Sequence, residues 1–151
     1  MSAPRRDELP DLLALLDDCA LPIADLETRH LPAFLVCRDD ARLIATAGLE
    51  SCGGELLLRS LAVAPAYRQR GLAGRLVEAL EERARSMPRE QVFLLTTSAQ
   101  NFFASRGFRP LARSAVPAAI AATSQFRSLC PASATCMVKN LERRSERQAS
   151  P

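Results

Sequence analysis

The residues most able to do chemistry stand together in Leu61-Ala62-Val63-Ala64-Pro65-Ala66-Tyr67-Arg68-Gln69-Arg70-Gly71-Leu72-Ala73-Gly74. An apolar run enters a turn rich in arginine and glycine, and the turn opens an amphipathic stretch. The first N–H groups of a helix have no partner inside the helix and point outward. Together with the helix dipole they make a site for an anion. Gly71, Ala73 and Gly74 keep the side chains small, so the backbone can approach a phosphate, and Arg68 and Arg70 add positive charge. The segment therefore reads as a phosphate-binding strand–loop–helix. It contains neither GK[ST] nor GxGxxG, so it is not a P-loop or a dinucleotide fingerprint. An ordinary strand–helix turn is the plain alternative.

Other reactive side chains are scattered. Arg59 lies mid-strand among leucines, and a buried guanidinium needs an anion. It either pairs with Glu50 or Glu55, or faces a cleft and binds an acidic substrate. His30 precedes a strand with no motif around it, so a surface or capping role is expected. The five cysteines show no CxxC spacing. Cys130 and Cys136, with Cys19 or Cys52, could hold a metalloid, but free cysteines usually serve as small buried hydrophobes, and no metal site is assigned.

These residues need elements to position them. Leu9, Leu12, Leu13 and Leu16 recur at helical spacing over residues 9–18, with Pro10 in the first turn, and Asp17, Asp18 and Leu21-Pro22 end the helix. A loop or short helix runs to Pro32. Residues 33–37 and 43–49 read as an antiparallel strand pair about Asp39-Asp40. Cys52-Gly53-Gly54 makes a second turn before the continuous apolar strand 56–63, which is expected to be central. Leu72, Leu76, Leu80 and Ala84 line one face of a helix over 71–86, stopped by Pro88. A buried strand follows at 92–96, then a short helix over 99–106 with Gly107 at C′. Phe108 onward and Ala134–Val138 supply two last strands around a helical piece at 116–122. The fold class is α/β (α+β), a mixed central sheet with flanking helices. One domain over residues 1–139 and a mobile charged tail over 140–151 are expected.

Composition narrows the classes. The chain has 151 residues, 48% of them hydrophobic, which suits a single core. A net charge of +3 fits an anionic ligand but not a nucleic-acid surface. No apolar run approaches a membrane span, no secretory signal is read, and a cytoplasmic protein is expected.

Arg68-x-x-Gly71-x-Ala73 resembles the [QR]xxGx[GA] motif of the GNAT N-acetyltransferases. The lead-in Leu61-Ala62-Val63-x-Pro65-x-Tyr67 is similar too, as is Phe102-Phe103-x-x-x-Gly107-Phe108. More narrowly, Leu15-Leu16-x-x-Cys19-x-Leu21-Pro22 and the stretch Phe126–Met137 look like the GNAT proteins found with arsenic-resistance genes. The resemblance implies a splayed pair of central strands, 56–63 and 92–96. It also implies acetyl-CoA as cosubstrate, with backbone amides of Gln69, Arg70, Gly71, Leu72, Ala73 and Gly74 on its pyrophosphate and Leu61, Ala62 and Val63 beside the pantetheine arm. A backbone N–H near Val63 would meet the thioester carbonyl.

The implied activity is transfer of an acetyl group to a small-molecule amine: an amino acid, a toxic analogue or an amine-bearing organoarsenical. No nucleic-acid or membrane partner is implied, and a homodimer is left open. A non-catalytic coenzyme-A or metalloid binder on the same fold, or a protein N-acetyltransferase, are the other readings. An alkyl ammonium has a pKa near ~10, so transfer at neutral pH needs a base. Glu50, closing the second strand, is the candidate base, and Thr96 is a candidate for orienting a water. The family often has a tyrosine as thiolate acid where Phe103 stands here, so that role is absent from its usual place.

Overall fold

The structure, a computed structural model, describes residues 1–88, 90–129 and 133–141. Among the described residues four α-helices and six strands follow the chain as α1 (Leu9–Asp18), β1 (Phe34–Asp39), β2 (Arg42–Cys52), β3 (Glu55–Val63), α2 (Leu72–Arg85), β4 (Gln91–Thr96), α3 (Gln100–Ser105), β5 (Arg109–Pro110), α4 (Ala118–Ala121) and β6 (Thr135–Asn140). The strands form a mixed six-stranded sheet in the order β1-β2-β3-β4-β6-β5. By contacts the chain divides into one unit of Met1–Glu50 with Leu58–Leu80 and another of Ser51–Leu57 with Glu81–Pro151.

In the first unit, α1 buries Leu12, Leu15 and Leu16 against Leu26, Leu31, Phe34, Val36, Leu43, Ala62 and Ala64. β1 and β2 pair antiparallel from Phe34↔Gly48 to Asp39↔Arg42, with a bulge at Cys37/Arg38. A Cβ at Gly48 would lie 3.0 Å from the Phe34 ring, so a side chain there would need the ring to give by a few tenths of an ångström. A 3₁₀ helix over Thr28–Ala33 leads into β1, and Ala33 belongs to it rather than to the strand. α1 ends at Asp18 as expected, but through a cap the sequence did not announce. Ala20 takes a left-handed φ of 60°. The N–H groups of Leu21 and Ala20 then bond the carbonyls of Leu16 and Asp17 at 2.9 and 3.0 Å, which is a Schellman cap.

In the second unit, Leu57, Phe93, Ile120 and Val138 make a core. β3 and β4 run parallel at Leu56↔Val92 and Leu57↔Phe93. β4 and β6 are antiparallel from Gln91↔Asn140 to Thr96↔Thr135. The two-residue β5 bonds β6 at Val138 and Met137, a shorter strand than the sequence suggests. Gly107 does sit at C′ of α3, with φ 93°. Gly107 and Phe108 donate to the carbonyls of Ala104 and Phe103, both at 3.1 Å, and the Phe103 and Phe108 rings meet edge to face at 5.4 Å. Asn140 closes β6 and Leu141 is buried. The rest of the expected tail, 142–151, lies outside the described residues.

Candidate functional site

At the end of β3 the Ala64 N–H donates to the carbonyl of Ile44 at 2.8 Å, and a 3₁₀ turn over Pro65–Tyr67 follows. Pro65 presets φ for that turn. Tyr67 donates its hydroxyl to Asp39 at the end of β1, and Arg70 lies over the Tyr67 ring at 5.1 Å. These contacts fix the far side of the loop. On its near side the Nε of Arg68 donates to the Val63 carbonyl at 3.0 Å, tying the loop back to the strand. The partly buried Cys19 thiol shares that carbonyl at 3.7 Å.

Two residues bend the loop into the helix. Gln69 has φ 64° and Gly71 φ 79°. For Gln69 such a backbone costs about 1–2 kcal/mol, whereas glycine adopts it freely. A Cβ added at Gly71 would meet nothing within 4 Å, so the space above it is open. The Arg75 N–H bonds the Gly71 carbonyl at 3.1 Å, which makes Gly71 the residue that opens α2. The N–H groups of Leu72, Ala73 and Gly74 are therefore the helix's unsatisfied donors. Gln69, Arg70 and Gly71 are exposed and Gly74 is buried. This is the geometry of an anion cradle, and it would accept a pyrophosphate.

β3 supplies a second group of side chains. Ser60, within the strand, has φ 60°, a strained position for a non-glycine residue. Arg59, with 1% of its side chain exposed, makes a forked pair with Asp25: Nη1 to Oδ2 at 2.5 Å and Nη2 to Oδ1 at 2.9 Å. Its Nε donates to the Ser60 hydroxyl at 3.1 Å, and Glu50 lies 3.6 Å from Nη1. Burial pushes the Asp25 carboxyl up, but the Arg59 hydrogen bonds and charge outweigh it and hold Asp25 below the usual aspartate range. The expected Glu50 partner is present. The closer one, Asp25, was not anticipated from the sequence. Its signal was there: an acid in the apolar loop Leu21-Pro22-Ile23-Ala24-Asp25-Leu26 is a buried-charge candidate that must find a cation.

The remaining candidates take structural contacts. The Thr96 hydroxyl accepts the Ala99 N–H at 2.9 Å in the turn that leads into α3. His30 accepts the Glu27 N–H on Nδ1 at 2.9 Å, a capping role. Phe103 is buried between Phe102 and Phe108. Cys37 and Cys136 are buried, which raises both thiols above the ordinary cysteine range. Among the described residues no three His, Cys, Asp or Glu side chains are grouped to hold a metal. Cys130, and with it the Cys130–Cys136 pairing, lies outside them. Among the same residues no helix is long and apolar enough to cross a membrane.

Amino-acid acetyltransferases are 37% identical to this chain over 103 residues in Pseudomonas paraeruginosa, covering 66% of the chain. One from Pseudomonas fluorescens is 32% identical over 126 residues, covering 79%. The chain spans only 23% and 29% of the length of those two relatives. Among solved structures, N-acetylglutamate synthase from Neisseria gonorrhoeae, complexed with coenzyme A and N-acetyl-glutamate, has a TM-score of 0.80 at 21% identity, over 95% of this chain and 35% of that one. A Mycobacterium tuberculosis protein in complex with CoA gives a TM-score of 0.76 at 20% identity, over 93% and 98%. The acetyltransferase (GNAT) domain family matches residues 30–110, more than half of the chain and all of the Arg68–Gly74 loop, and the chain belongs to that family.

Proposed function

We propose that this chain is an acetyl-CoA-dependent N-acetyltransferase whose acceptor is the amine of a small molecule, most directly an amino acid. The observation that carries the reading is the loop: left-handed turns at Gln69 and Gly71 present the first N–H groups of α2 to open space. The names of the relatives, amino-acid acetyltransferases, support the acceptor class.

The backbone amides of Gln69–Gly74 hold the pyrophosphate, and the Leu61–Val63 backbone runs beside the pantetheine arm as an added strand would. Acetyl-CoA then supplies an activated thioester, and both substrates are bound together before transfer. The chain's own task is to keep the acceptor nitrogen neutral and near the thioester. Glu50, half-buried at the end of β2 and in an ion pair with Arg59, takes the ammonium proton directly or through water. Water or the newly formed product returns a proton to the thiolate, since Phe103 carries no hydroxyl.

The test is steady-state release of free thiol from acetyl-CoA across a panel of amino acids, amino-acid analogues and amine-bearing organoarsenicals, with wild type and Glu50→Gln side by side. At least one acceptor is expected to turn over, and Glu50→Gln to lose about 10²–10⁴ in rate with coenzyme A affinity spared. Coenzyme A binding with no turnover on any member would favour a non-catalytic binder. Full activity in Glu50→Gln would remove Glu50 as base.

A further inference from the structure

We propose that Asp25 determines specificity at this site by occupying the Arg59 fork, which closes the acceptor side to amines that carry an acidic side chain. The inference rests on the reading above, in which the Glu50–Arg59 edge borders the acceptor.

A guanidinium presents five N–H donors in a rigid plane and is the usual receptor for a carboxylate or phosphonate. In this chain both prongs of Arg59 are spent on Asp25, at 2.5 and 2.9 Å. The third direction, Nε, is spent on Ser60 at 3.1 Å. The side chain is 1% exposed, so an incoming anion would have to compete with the buried Asp25 pair to reach it. Such an anion would also meet two carboxylates, Asp25 and Glu50, around one guanidinium. It would have to displace a buried and well-bonded partner, leaving the Asp25 charge without its cation. A neutral or cationic acceptor displaces nothing. Discrimination of this kind comes from what the wrong ligand must break. The turn Ile23–Leu26, closed by the Leu26 N–H on the Ile23 carbonyl at 3.0 Å, holds Asp25 in place.

Glutamine and glutamate, and asparagine and aspartate, are near-isosteric pairs that differ in side-chain charge, and they serve as probes. With the full chain and saturating acetyl-CoA, kcat/KM is expected to favour the amide member of each pair by ten-fold or more. Asp25→Asn frees the fork, and the preference should fall several-fold through a lower KM for the acidic member, with a melting curve confirming the fold. Asp25→Glu keeps the carboxylate and should keep the preference; it decides the matter if Asp25→Asn does not fold. Equal or better use of the acidic members by wild type, or an unaltered ratio in folded Asp25→Asn, overturns the assignment while leaving the acetyltransferase reading intact. Turnover of none of the four by a chain that binds coenzyme A overturns the amino-acid acceptor and this assignment together.

Discussion

Glu8 is buried with its carboxylate wrapped by donors: Arg38 through Nε and Nη2 at 2.9 and 2.7 Å, and the Arg5 N–H at 2.7 Å. The Arg38 hydrogen bonds hold its pKa at about 2, against 4.5 for an ordinary glutamate, even though burial works in the opposite direction. A carboxyl depressed in the folded state stabilises it fully above the unfolded value and loses that contribution as pH falls from 4.5 toward about 2. Glu8→Gln should therefore melt below wild type at pH 7, and the gap should close as the pH approaches 2. Thermal melts across that range would contradict the assignment if the gap stayed constant. Pairings of this kind were the least legible from sequence. Glu8 and Arg38, or Asp25 and Arg59, lie more than one element apart, and no periodicity links them. What the sequence does give is the demand: a guanidinium among leucines must find an anion. Thr96 shows the reverse, since its hydroxyl has a local role on Ala99 that a strand-end threonine commonly fills.

Among the elements, those with a repeating pattern were readable. The leucine spacing of α1 and α2 and the glycine turn between β2 and β3 come from periodicity and turn chemistry. Gly53 and Gly54 both take positive φ, at 57° and 86°, as a tight hairpin turn requires. The segment before β1 was readable only as a loop or short helix, and the shortness of β5 was not readable, because such short pieces are set by the packing around them. The end of α1 at Asp18 was readable but its cap was not, since Ala20 is not a residue that normally takes the left-handed C′ position. That exception makes a prediction. Ala20→Gly removes a conformational cost of about 1–2 kcal/mol and adds roughly 0.5–1 kcal/mol of unfolded-state freedom. A net gain of roughly 0.5–1 kcal/mol is expected, read as a higher midpoint in denaturant at unchanged slope. A loss of stability would mean that Leu21 and the cap do not hold the helix end as described.

At the scale of the molecule, the Gln69–Gly74 loop and the Asp25–Arg59–Glu50 cluster all fall within the unit formed by Met1–Glu50 and Leu58–Leu80. The family match over residues 30–110 includes the loop, Glu50 and Arg59 but not Asp25. The claim beneath the whole account is that the loop from Gln69 to Gly74 receives the pyrophosphate. Gly71 is the sensitive position: it has φ 79° and open space where a side chain would project. Gly71→Ala adds only the backbone strain, about 1–2 kcal/mol, whereas Gly71→Glu also sets a carboxylate where the phosphate must come. Titration calorimetry of coenzyme A into wild type, Gly71→Ala and Gly71→Glu tests this most directly. The account predicts binding by wild type, weakened binding by the alanine variant, and a further loss of about 100-fold or more in the glutamate variant, a cost of roughly 3 kcal/mol. Wild-type affinity in folded Gly71→Glu would contradict it.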